Sequence, residues 1–115
     1  MTYFKLENDN IISVDNVKES SIGQPILKTN ISMFGFEALI STVFLGIDHS
    51  INIYDDKPIL FETMIFCDDI PSEELSYQVR YSDLYKSIEG HNFSILFLYG
   101  FLHRYSERLK QQKDT

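Results

Sequence analysis

Two apolar runs of the chain carry groups able to do chemistry. STVFLGIDHS, residues 41–50, closes on Asp48 and His49, and ILFETMIF, residues 59–66, holds the lone Glu62 in its middle. Arg80 and Tyr81 end the run SYQVRY, and His91 follows Gly90. A carboxylate among Leu60, Phe61, Thr63 and Met64 is costly unless paired. Arg80 is the natural partner, because a guanidinium offers a carboxylate two parallel donors. The structural reading is a Glu62–Arg80 pair that locks strand register, with Asp48 or His49 capping the loop between the runs. The functional reading gathers Asp48, His49, Glu62, Arg80, Tyr81 and His91 around one recognition site at a sheet edge. There Arg80 holds a phosphate or carboxylate, and His49 or His91 handles protons or hydrogen-bonds a base. Neighbouring strand residues point to opposite faces, so Asp48 and His49 share a task only where the strand has already ended.

Other chemistries find less support. Asp48, His49 and His91 are suitable metal ligands by type, but no HxH, HxxxH or CxxC spacing accompanies them. Cys67 is the only cysteine, with no histidine or basic residue near it in sequence, which argues against a catalytic thiol. It also rules out an internal disulfide and points to a reducing compartment. Phosphate-binding glycine loops, nucleophile elbows and zinc motifs are not present. The expectation is a chain without cofactor or metal.

The elements that must position these groups are legible from pattern. TYFKLE alternates as a strand, NDN at residues 8–10 turns, and IISV pairs back. Residues 15–24 are polar and end in Gly23-Gln24-Pro25, which reads as a loop with one helical turn. PILKTNIS resumes a strand. Residues 36–48 fit helical spacing at Phe36, Leu39, Ile40, Val43 and Ile47. Their β-branched content favours a strand instead. A polar loop over residues 49–58 leads to the returning strand ILFETMIF, and SYQVRY supplies the last strand. Ser82-Asp83 then caps a helix whose apolar positions 84, 88, 95, 98, 102, 105 and 109 keep helical spacing.

Together these give an α+β fold, an antiparallel sheet of four to five strands packed against a long C-terminal helix. The 115 residues make one domain, with residues 1–81 mostly sheet and 82–112 the helix. Residues 93–102, FSILFLYGFL, are apolar nearly all round, more than packing on one sheet needs. Phe93, Phe97 and Phe101 are therefore expected to form the interface of a homodimer. The run is too short to span a bilayer, and no basic-then-apolar leader opens the chain. The net charge of −7 and pI near 4.8 leave no basic excess to bind a nucleic-acid backbone. An acidic face of this kind suits ordinary solvation, or a basic protein groove that normally receives nucleic acid.

Thr42, Val43, Phe44, Leu45, Gly46, Asp48 and His49, then Leu60 to Met64 with Phe66, then Arg80, Tyr81, Gly90 and His91 form three motifs, TVFLGxDH, LFETMxF and RY…GH. In these the chain resembles a family of small uncharacterised phage and prophage proteins. YFKL and ISV near the start resemble that family too, and the likeness covers most of residues 3–91. The chain departs from the pattern in a shortened polar segment near residues 16–24, in SINIYDDK after Asp-His, and in a far more apolar helix after His91. The resemblance implies a phage origin and a fold, not a reaction.

Three functions follow as expectations. One is a phage-encoded binding protein in the host cytoplasm, inhibiting or sequestering a component of antiviral defence, either a protein such as a CRISPR nuclease or a nucleotide signal. A second is a small phosphodiesterase or hydrolase using His49, His91 and Glu62. The third is a structural accessory of the virion or of phage replication.

Overall fold

The computed structural model describes residues 2–48 and 57–113. Strands β1 (Tyr3–Glu7) and β2 (Asn10–Val14) pair in register through a two-residue turn. Asn8 and Asp9 both take positive φ there, as the tight turns that match strand twist require. A short 3-10 turn at Val17–Glu19, capped by the Asn16 side chain, fills the polar segment that follows.

β3 (Gln24–Met33) and β4 (Phe36–Phe44) form a long hairpin, turning at Phe34 and Gly35 with positive φ at both. β5 (Phe61–Phe66) returns beside β4, and β6 (Gln78–Tyr81) closes the sheet in the order β3-β4-β5-β6, antiparallel throughout. Among the described residues the strands therefore divide into a four-stranded sheet and a separate pair. The segment 36–48 is a strand rather than a helix as far as Phe44, and residues 45–48 leave the sheet at Gly46.

Helix α1 (Leu84–Lys113) runs unbroken through Gly90. Its N-terminal cap is Asp83, whose Oδ1 accepts the Lys86 N–H at 2.7 Å, rather than Ser82. Leu98 and Leu102 are fully buried against Ile31, Ala38, Ile40 and Ile65 of the sheet. A second cluster, Phe44, Leu60 and Phe61, joins the sheet to Phe4 and Leu6 of the hairpin and to Leu84 at the start of α1. None of the described helices is long and apolar enough to cross a membrane.

Candidate functional site

The expected site residues divide between the two faces of the sheet. Alternation along β5 turns Phe61, Thr63 and Ile65 toward α1, and Glu62 and Met64 to the opposite face. Glu62 stands directly across from Arg80 in the β5–β6 register. Glu62 Oε2 accepts from Arg80 Nε at 2.9 Å and from Gln78 Nε2 at 2.6 Å. The Glu62 side chain is almost buried and that of Arg80 is 40% exposed. The lone carboxylate is thus held by two donors from the neighbouring strand, and the pair fixes which residues of β5 and β6 meet.

On the helix side, His91 is buried among hydroxyls. Its Nδ1 lies 2.7 Å from Thr42 Oγ1, and its Nε2 lies 2.9 Å from Thr29 Oγ1. Thr42 Oγ1 in turn lies 2.5 Å from Thr63 Oγ1. The chain Thr63–Thr42–His91–Thr29 links three strands to the helix. A neutral imidazole satisfies it in either tautomer, with one ring nitrogen donating and the other accepting. Burial lowers the His91 pKa below its ordinary 6.5, since the charged ring has left water. Ser94 Oγ donates back to the His91 carbonyl at 2.6 Å, which keeps this turn of the helix slim against the sheet.

Asp48 does a different task. Its Oδ1 accepts the Ile59 N–H at 2.8 Å, so it ties together the two ends of the loop between β4 and β5. His49 and most of that loop lie outside the described residues. Just before Asp48, Gly46 takes φ +77 and sits so close to Ile22 that a Cβ would come within 2.9 Å of its backbone. The glycine lets the strand leave the sheet against the loop that precedes β3.

Tyr81 packs its ring on α1 at Gly90, where any side chain would overlap the phenol. The Tyr81 hydroxyl is buried and finds no hydrogen-bond partner among the described residues. Beside this contact runs an open groove of about 500 Å³ between β6 and α1, lined by Tyr77, Val79, Tyr81, Lys86, Glu89, Gly90 and Phe93. Val79 and Tyr81 are alternate residues of β6 and share one face, and Tyr77 lies just before the strand. Among the described residues, β6 has a sheet neighbour on one side only.

The three aromatics expected at a dimer interface also separate. Phe93 is 63% exposed at the groove's lip. Phe97 and Phe101 are half-buried in an aromatic row, with Tyr77 4.9 Å from Phe97, Phe97 6.1 Å from Phe101, and Phe101 5.8 Å from Tyr105. Both pack against the main core. What the sequence reading missed is the hydroxyl network. Thr29, Thr42 and Thr63 look like ordinary strand residues, and only their shared face with His91 shows their role.

The structure does bring together Glu62 with Arg80, and Tyr81 with the Gly90-His91 pair, but it sets Glu62 and His91 on opposite faces of the sheet. They do not act on one substrate from these positions. Among the described residues, no group of three or more histidine, cysteine or acidic side chains is placed to hold a metal ion. The chain matches no known protein family, no curated protein and no solved structure.

Proposed function

We propose that this chain is a phage-encoded binding protein that inhibits a protein component of bacterial antiviral defence in the host cytoplasm. The observation that carries the binding reading is the β6–α1 groove. It is open, mainly apolar, and runs along a strand whose outer edge is unpaired among the described residues. Such an edge receives an extended segment of a partner through main-chain hydrogen bonds, while a groove beside it takes an apolar side chain. A protein target fits better than a nucleotide signal. Among the described residues Lys86 is the groove's lone cation and Glu89 offsets it, whereas phosphates call for several cations or oriented amides. The phage part of the reading rests on the resemblance of the three motifs, and the defence part on short length, acidity and an apolar helix. Tyr81 and Gly90 of the third motif line this groove.

The test is to express the chain in bacteria carrying defined defence systems, a CRISPR nuclease among them, and to score phage plating. The expected result is restored plating under at least one system, lost with Val79→Glu, whose side chain would put a charge into the groove. Inhibition that survives Val79→Glu moves the site away from the groove. Restored plating under none of the systems, with the protein folded and abundant, removes the defence reading.

A further inference from the structure

α1 carries a second apolar surface that the groove does not use. Tyr85, Ile88, Leu96 and Tyr99 are 74%, 37%, 71% and 42% exposed. With Asn92, also exposed, they form a single stripe on the helix. Steps along it are three, four, four and three residues, so the spacing reads the same in both directions about Asn92. The chemistry is symmetric too, tyrosine at each end, a branched aliphatic inside each, and an amide at the centre.

We infer that this stripe pairs with the same stripe of a second copy, the two helices running antiparallel across a two-fold axis at Asn92. A two-fold interface requires that residue i meet j while j meets i. About Asn92, Tyr85 meets the partner's Tyr99, Ile88 meets the partner's Leu96, and Asn92 meets its own counterpart. An amide both donates and accepts, so two asparagines on the axis satisfy each other. A single polar residue in an otherwise apolar seam is also a known means of fixing register. A heterologous partner would have no reason to meet a palindrome.

Area sets the strength. With about 150–250 Å² for a whole aromatic side chain, the exposed parts of the stripe amount to about 500 Å² per copy. Two copies bury about 1,000 Å², where specific but weak interfaces begin. A micromolar dimer is expected, strengthened by salt because two acidic chains of net charge −7 repel each other. The inference stands independently of the groove.

The test uses the full chain in analytical ultracentrifugation, with cysteine cross-linking for the register. Wild type should shift from monomer to dimer as concentration rises through the micromolar range, and Leu96→Glu should weaken the dimer at least about tenfold. Leu96 is too exposed for that change to disturb the fold, which circular dichroism checks. In a Cys67→Ser background, Asn92→Cys should cross-link to itself under mild oxidation. Tyr85→Cys should cross-link when mixed with Tyr99→Cys but not alone. A chain that stays monomeric at about 200 µM overturns the inference, since the area calls for a tighter complex. So does a dimer unaffected by Leu96→Glu, and so does self-cross-linking of Tyr85→Cys on its own, which would mean a parallel pair.

Discussion

Glu62 and Arg80 are unequal partners, and their inequality is measurable. Glu62 is almost buried, whereas Arg80 keeps 40% of its side chain in water. Removing Glu62 frees a guanidinium that swings into solvent at little cost. Removing Arg80 leaves the buried carboxylate with Gln78 alone of these two donors. Arg80→Ala should therefore cost about 1.5–3 kcal/mol, the scale of a hydrogen bond to a charged group. Glu62→Ala should cost less, and the double variant should fall short of the sum by about 1 kcal/mol, because solvent screens the exposed half of the pair. Urea midpoints decide it, and a larger loss for Glu62→Ala would reverse the account. His91 gives a second test. Its folded pKa lies below 6.5, so the unfolded chain binds a proton that the fold refuses. The stability from this residue is complete above about pH 6.5 and falls as pH drops below it, by up to about 1.4 kcal/mol per pH unit. Melting temperatures between about pH 7.5 and 5.5 should show that slope, and His91→Gln should flatten it. A slope unchanged in the variant assigns the titration to another group.

At the scale of the element, Gly90 and Gly100 show how one helix holds two unlike glycines. Glycine in a helix interior ordinarily costs about 1 kcal/mol relative to alanine. At Gly100 a Cβ would meet mainly the flexible guanidinium of Arg104, 3.1 Å away, so Gly100→Ala should gain up to that amount. At Gly90 it would overlap the Tyr81 ring, which the second core cluster holds in place. Gly90→Ala should lower the melting temperature by several degrees, as a loss of about 1–3 kcal/mol from overpacking does in a domain this size. Equal effects of the two substitutions would mean that the Tyr81 contact does not form. The elements themselves were largely legible. NDN announced a tight turn, period-two alternation announced β1 and β6, a short apolar run announced β5, and helical spacing announced α1. The site was legible only in part. The Glu62–Arg80 pair follows from charge beside apolar residues and from strand pairing. The split of Glu62 from His91 depends on which face each strand turns to the helix, and that is set by register across four strands. The inward turn of Phe97 and Phe101 depends on Tyr77, a residue twenty positions away.

Across the whole molecule, the three sequence motifs meet in three dimensions. Thr42 of the first motif, Thr63 of the second and His91 of the third form one hydrogen-bonded chain. Glu62 and Arg80 join the second motif to the third, and Tyr81 packs on Gly90 within the third. These contacts all lie where β4, β5, β6 and α1 come together, and the β1–β2 pair takes no part in them. Burial follows the same division. β4 and β5 are mostly buried, while the residues of β2 are exposed but for Val14, itself half-buried. A segment with few buried apolar groups opens at lower free energy than the core it leans on. The pair is tied on by Phe4, whose N–H donates to the Gly46 carbonyl at 2.8 Å, and by Phe4 and Leu6 against the second cluster. These contacts anchor β1 and leave β2 to its one neighbour. Amide hydrogen exchange under native conditions should therefore rank the elements. Amides of β4, β5 and residues 91–102 of α1 should exchange only on global unfolding, with protection falling as denaturant is added at the global slope. Amides of β2 that face β1 should exchange at least about tenfold faster, with little denaturant dependence, because their opening exposes little new surface. Equal protection in β2 and β4 would mean that the pair unfolds with the core as one cooperative unit, and that the second cluster couples them more strongly than its burial suggests.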